Sequence, residues 1–110
     1  MIIALDVMGG DNAPKSNILG AKKFLNSNPN VKVILVGHES IIKDQLKIHE
    51  FDDLSRIEIY HSPEIITMDE PKPSMVFKTR PNSSIVQAVK LVKDGLADAI
   101  ISAGNTAALL

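Results

Sequence analysis

Four segments of the chain have the hydrophobic pattern of β-strands. They cover residues 2–5, 31–37, 56–60 and 97–102. The first two are almost continuously apolar, as is typical of strands that are buried on both faces of a sheet. Polar and apolar residues alternate in the third, so we expect a more exposed strand there.

Between these segments, apolar residues recur at helical spacing in three stretches. The first two cover residues 14–28 and 40–49, and the third begins at Ser83 or Ser84. The second is less regular, and its expected apolar residues are Ile41, Ile42, Leu46 and Ile48. Pro14 is typical of the first turn of a helix, and Gly95 is typical of a helix end. The expected apolar stripe of the third helix contains Ile85, Ala88, Val89, Val92 and Leu96.

Residues 62–82 show little periodicity and contain four prolines, which argues against a long helix. A loop of this length is uncommon in a compact domain and is often functional or mobile. Elsewhere strands and helices alternate, which predicts right-handed βαβ units. The pattern therefore predicts a three-layer α/β/α fold with a mostly parallel sheet and helices on both faces.

Composition narrows the class of protein. A chain of 110 residues predicts a single α/β domain, and a net charge of −1 argues against a nucleic-acid binder. The absence of cysteine excludes disulfides, thiolate catalysis and cysteine-based zinc sites in these residues. No basic, apolar leader and no apolar stretch of about 20 residues is present, so a cytoplasmic location is expected. Residues 105–110 look like the start of a helix, so we expect a truncated chain.

The first strand ends at Asp6 and runs into a glycine turn that contains Gly9, Gly10 and Asp11. In open α/β sheets, ligands bind beyond the carboxyl ends of strands, where this turn would lie. The two glycines are therefore candidate ligand contacts, and the two carboxylates are candidate supporting groups. The alternative is a tight turn that needs a positive φ at a glycine, with Asp11 or Asn12 capping the next helix.

A second strand-to-helix turn contains Ser102, Gly104, Asn105 and Thr106. Small residues let backbone N–H groups approach a ligand, and a helix N-terminus favours an anion such as phosphate. The alternative is an ordinary helix cap by Asn105 or Thr106. Neither turn has the G-x-G-x-x-G or G-x-x-x-x-G-K-[ST] spacing of the common nucleotide sites.

The three histidines are weaker candidates. His38 follows the carboxyl end of a strand, so it either points into a cleft or faces solvent in a turn. His49 and His61 have no partner at metal-ligand spacing, so we expect them to be structural or exposed. No metal site and no cofactor is predicted.

Several segments in register resemble one family, the bacterial acyl-[acyl-carrier-protein]:phosphate acyltransferases of phospholipid synthesis (the PlsX family). The matching segments are residues 5–14, 33–37, 66–71, 82–84 and 102–106. The chain departs from the family at Ala107, where glycine is usual, and at Asn12, where histidine is frequent. Family members are longer, so the resemblance implies an N-terminal portion that is inactive alone.

The resemblance implies transfer of an acyl group from the phosphopantetheine thioester of acyl carrier protein to inorganic phosphate. It also implies a fold similar to isocitrate and isopropylmalate dehydrogenases, a homodimer, and peripheral membrane contact. Gly104, Asn105 and Thr106 are then the expected anion contacts. Asp6 and Asp11 would repel phosphate, so they are expected to orient the turn or a basic group. The catalytic acid–base residues are not predicted.

Two other functions are compatible with the same fold. One is a non-catalytic α/β domain that binds phosphate or a nucleotide for regulation. The other is the dinucleotide domain of a dehydrogenase, because dehydrogenases of the related fold bind their cofactor without the G-x-G-x-x-G motif. A phosphate-dependent loss of acyl thioester distinguishes the acyltransferase from a binding domain.

Overall fold

The computed structural model describes residues 1–10, 12–63 and 83–102, in which strands and helices alternate. The elements are β1 (Ile2–Asp6), α1 (Lys15–Ser27), β2 (Lys32–Gly37), α2 (Glu39–Ile48), β3 (Ile57–His61), α3 (Ser84–Lys93) and β4 (Ala99–Ser102). The predicted order of strands and helices is confirmed. Most of the proline-rich stretch, residues 64–82, lies outside the described residues. No described helix is both long enough and apolar enough to cross a bilayer.

The four strands form one parallel sheet in the order β3-β2-β1-β4. From β1 the chain moves to β2 and then β3 on one side, and it later returns to place β4 on the other side of β1. Leu5 of β1 is therefore paired with Leu35 of β2 and with Ile101 of β4. The predicted three-layer fold with a parallel sheet is confirmed.

The β2 strand explains why its sequence is almost continuously apolar. Val33 and Leu35 pack in the core cluster formed with α1 and α2. Ile34 and Val36 point to the opposite face, where they pack in the cluster formed with α3. Successive side chains of a strand alternate between faces, so a strand covered by helices on both sides needs apolar residues at every position.

The helices divide between the two faces of the sheet. The buried stripe of α1, which includes Ile18 and Leu25, faces the same cluster as Ile42 of α2. In α3, Ala88 and Leu91 cover the other face. A constant crossover hand places helices on opposite faces when the chain reverses its direction across the sheet. That reversal occurs at β1, so β1 and β4 form the topological switch point of the sheet.

Arg56, just before β3, holds the carboxyl-terminal end of α1. Its Nη2 donates to the Leu25 carbonyl at 2.8 Å. Its Nη1 donates to the carbonyls of Asn28, at 2.8 Å, and Val31, at 3.0 Å. The last carbonyls of a helix have no partner within the helix, so a guanidinium with several donors satisfies them well.

Two predicted apolar positions were wrong. Leu96 does not extend the stripe of α3, because the helix ends at Lys93 and Gly95 turns the chain with a φ of +77°. Leu96 is 59% exposed. Ile48 of α2 is 64% exposed. It lies six residues after the buried Ile42, which at 3.6 residues per turn places it well outside the buried stripe.

Candidate functional site

The carboxyl ends of β1 and β4 lie side by side at the switch point. Asp6, the last residue of β1, is in register with Ser102, the last residue of β4. Ligands of open α/β sheets bind in the crevice beyond such paired strand ends, because the two loops diverge to opposite faces there. Asp6 is almost completely buried, so its carboxylate needs compensating hydrogen bonds within the protein.

Three donors surround the Asp6 carboxylate. The Met8 N–H of the glycine turn donates to Oδ1 at 3.1 Å. The Ser84 hydroxyl, at the start of α3, donates to Oδ1 at 2.5 Å, and the Ser102 hydroxyl donates to Oδ2 at 2.8 Å. One side chain thus joins the first strand, the turn after it, the third helix and the fourth strand.

This arrangement bears on the predicted role of Ser102 as a contact to phosphate. A serine hydroxyl has a single proton, and that of Ser102 is directed at Asp6. The hydroxyl would have to turn away from Asp6 before it could donate to an anion. The contact between Ser102 and phosphate stays a prediction. It requires that the Ser102 hydroxyl first break its hydrogen bond to Asp6.

The glycine turn is held by α1. The side-chain amide of Asn17 donates to the carbonyls of Val7, at 3.0 Å, and Gly9, at 2.9 Å. Because the N–H and C=O of a trans peptide point in opposite directions, the Gly10 N–H is directed away from Asn17. Gly10 has a φ of +94°, the left-handed region that glycine adopts without a steric penalty. The tight turn expected as an alternative is therefore present.

The second part of that alternative, a helix cap by Asn12, is wrong. The residue before α1 is Pro14, and α1 has no side-chain capping bond. Asn12 contributes through its backbone instead, because its carbonyl accepts the Ser16 N–H at 3.1 Å. Asp11 lies outside the described residues.

The structure thus brings four predicted residues to one edge of the sheet: Asp6, Gly9, Gly10 and Ser102. The other predicted residues, Asp11, Gly104, Asn105 and Thr106, lie outside the described residues, and their roles stay predictions. Sequence reasoning assigned no role to Ser84 or Asn17. The serine pair at the start of α3 was a signal, since serine is common at helix N-termini. No pattern in the sequence indicated the hydrogen bond from Ser84 to Asp6.

The histidines at this edge serve local structure. His38 is half-buried beyond β2, and its Nδ1 lies 3.0 Å from the Ser40 hydroxyl. Its ring packs edge-on against His61, with ring centroids 5.1 Å apart. His61 accepts the Glu39 N–H through Nδ1 at 3.0 Å. Within the described ranges, no group of three or more histidine, aspartate or glutamate residues could hold a metal ion.

Among the described residues, the pKa values of two carboxyl groups, Glu39 and Asp53, are clearly lowered, and neither is among the groups that bond to Asp6. The pKa of Glu39 is lowered by the hydrogen bond and the charge of Lys43, whose ammonium lies 2.7 Å from its carboxylate. The pKa of Asp53 is lowered by hydrogen bonds from Ser55. Both groups therefore stay ionised to lower pH than free carboxylates do.

Comparison with known proteins gives one consistent result. The family model described as "Fatty acid synthesis protein" matches residues 1–110. Proteins named phosphate acyltransferase are similar to the chain: one from Clostridioides difficile is 46% identical over 110 residues, and one from Coxiella burnetii is 49% identical over 111 residues. These matches cover 100% and 98% of the chain but 32% of each relative. The chain thus spans about a third of the length of these curated relatives.

Proposed function

Because the chain belongs to the fatty acid synthesis protein family, we propose that its full-length protein is an acyltransferase. It moves a fatty acyl group from acyl carrier protein to inorganic phosphate and gives acyl phosphate for phospholipid synthesis. The family match confirms the resemblance to the PlsX acyltransferases, and the relatives named phosphate acyltransferase are the observation that carries the proposal.

In the proposed reaction, an oxygen of inorganic phosphate attacks the carbonyl carbon of the acyl thioester. The new C–O bond forms, the C–S bond breaks, and the sulfur leaves with the electron pair and takes up a proton. Phosphate is itself the nucleophile, so a chain segment without cysteine fits this chemistry. The protein's contribution is to position the two substrates and to stabilise the tetrahedral oxyanion with fixed donors.

Phosphate is proposed to bind in the crevice at the switch point, beside the ends of β1 and β4. Supporting features are the Gly10 N–H, which is directed away from Asn17, and the register of Asp6 with Ser102. Asp6 itself would repel a phosphate. Its three hydrogen bonds favour a positioning role, in which it fixes the glycine turn and the start of α3 around the crevice.

The test of this function uses the full-length protein and acyl carrier protein loaded with a long acyl chain. We expect thioester loss only when inorganic phosphate is present, with acyl phosphate formed in equal amount. A control without the enzyme measures spontaneous hydrolysis. Phosphate binding without thioester loss, in a folded protein with a verified substrate, would instead indicate the non-catalytic binding domain.

Replacing Asn105 by alanine tests the second turn. We expect the KM for phosphate to rise roughly 10- to 100-fold, because a hydrogen bond from a neutral donor to a charged ligand is worth roughly 1.5–3 kcal/mol. The KM for acyl carrier protein should change little. A KM for phosphate equal to that of the wild type would remove Asn105 from the site.

The wider organisation is also proposed. Residues 1–110 form a single α/β domain at the N-terminal part of the full-length protein, and this segment alone lacks turnover. The partners are acyl carrier protein and inorganic phosphate, and the protein acts as a cytoplasmic homodimer with peripheral membrane contact. What supports a longer full-length protein is that the chain covers only about a third of each relative.

A further inference from the structure

Ser83 has a feature that the proposed function does not use. The residue is completely buried, and its Oγ has no hydrogen-bond partner. Among the described residues, no other buried side-chain oxygen or nitrogen lacks a partner. A buried hydroxyl without a partner has lost its hydrogen bonds to water and gained none, so its presence needs a physical reason.

The usual reason for a serine at this position does not apply. Ser83 is the residue before α3, and its backbone is extended, with φ −68° and ψ 154°. A serine in this place usually accepts an N–H of the first helical turn through Oγ. Here that capping bond is absent, so the hydroxyl and the first-turn N–H groups are not paired with each other.

The location of Ser83 relates it to the crevice. The next residue, Ser84, donates its hydroxyl to Asp6, and this bond fixes the N-terminus of α3 at the end of β1. The first N–H groups of a helix have no intrahelical acceptor and carry the positive end of the helix dipole. In α3 these groups belong to residues 84–86, and Ser83, which bears the unpartnered hydroxyl, directly precedes them in the chain.

We propose that the Ser83 hydroxyl and the N-terminus of α3 bind a phosphate group at the switch point. This inference rests on the proposed function, and it adds a binding residue that the two strand-end turns do not include. A helix N-terminus with an adjacent hydroxyl is well suited to a dianion. The charge of Asp6 lies nearby, but three donors already point at it, which leaves Ser83 as a donor not committed to that carboxylate.

Two phosphate groups occur in the proposed reaction. One is the inorganic phosphate that attacks the thioester, and the other is the phosphodiester of the phosphopantetheine arm of acyl carrier protein. Both present negatively charged oxygens to the same donors. Measuring the KM for each substrate shows which of the two phosphate groups binds at Ser83. Loss of a contact to one substrate raises the KM for that substrate alone.

The test compares Ser83→Ala with wild type in the full-length protein. We expect a Tm that is unchanged or slightly higher, because the removed hydroxyl has no partner in the free protein. We expect the KM for inorganic phosphate to rise roughly 10- to 100-fold, as for a lost hydrogen bond to a charged group. Calorimetric titration with inorganic phosphate should show the same loss of affinity without any turnover.

Two further variants make the test specific. Ser83→Gly also removes the hydroxyl, and glycine is well tolerated at the position before a helix. This variant should therefore weaken phosphate binding as Ser83→Ala does. Ser40→Ala is the matched control, since Ser40 is an exposed serine in the first turn of α2 and bonds only to His38 among the described contacts. It should leave both KM values and the affinity for inorganic phosphate unchanged.

The outcomes separate this inference from the proposed function. A rise in the KM for acyl carrier protein alone supports the site and assigns it to the phosphodiester. Phosphate affinity that depends on Ser83 without thioester loss keeps the site and removes the acyltransferase. Turnover with both KM values within twofold of wild type in Ser83→Ala keeps the acyltransferase and overturns the site. A Tm lowered by several degrees would also overturn it, because the hydroxyl would then have a structural partner.

Discussion

Replacing Asp6 by alanine is expected to lower the free energy of unfolding by about 3–5 kcal/mol. The Met8 N–H, the Ser84 hydroxyl and the Ser102 hydroxyl all donate to this buried carboxylate. Each hydrogen bond to a charged group contributes roughly 1.5–3 kcal/mol, and the hydroxyls can recover part of this by turning. Urea denaturation of the full-length protein, followed by circular dichroism, measures the change.

The matched variant is Asp6→Asn. Its amide oxygen can still accept the Met8 N–H and the Ser84 hydroxyl, and its amide nitrogen can donate to Ser102 after that hydroxyl turns. We therefore expect a smaller loss, about 1–2 kcal/mol. Phosphate-dependent activity should fall in both variants. An Asp6→Ala protein as stable as the wild type would contradict the view that this carboxylate joins the four segments.

Replacing Gly37 by alanine is expected to disturb the glycine turn from the neighbouring strand. A Cβ on Gly37 would lie 2.6 Å from the Met8 Cγ and 2.8 Å from the Val7 Cγ2. Met8 can change its rotamer, but Val7 is fully buried and β-branched, so the backbone after Asp6 has to shift. We expect a loss of about 1–3 kcal/mol in stability. We also expect roughly a 100-fold loss in kcat/KM, the order of effect that a 1 Å displacement of a site produces.

Gly20→Ala is the control for this prediction. Gly20 lies inside α1, and a Cβ there would meet no atom within 4 Å. Alanine is favoured over glycine in a helix interior by about 0.5–1 kcal/mol, so this variant should be slightly more stable than wild type and equally active. Equal activity of Gly37→Ala and Gly20→Ala would show that the turn tolerates the displacement.

The fold could be predicted from the sequence because its signals are local. The apolar run of β2 predicts a buried strand at those same residues, and Gly95 predicts the end of the helix that precedes it. The errors at Ile48 and Leu96 came from counting apolar residues without following the helical angle or the helix end. Hydrophobicity indicates that a residue can be buried, whereas its angle around the helix decides whether it is.

The candidate site was only partly predictable, because its contacts join distant parts of the chain. The glycine turn marked the strand end, and the alternative of a tight turn with a positive φ at a glycine is met at Gly10. The bonds from Ser84 and Ser102 to Asp6 span 78 and 96 residues and have no pattern in the sequence. The orphan hydroxyl of Ser83 likewise depends on a burial that only the three-dimensional fold creates.

The central position of β1 has a consequence for synthesis on the ribosome. Its partner on one side, β2, follows within about 30 residues, whereas its partner on the other side, β4, begins at Ala99. At roughly 5–20 residues per second, one edge of this interior strand stays unpaired for about 5–20 s while the nascent chain grows. An unpaired apolar edge promotes association between chains. The glycine turn, at the end of the same strand, therefore acquires its complete surroundings only after β4 has emerged.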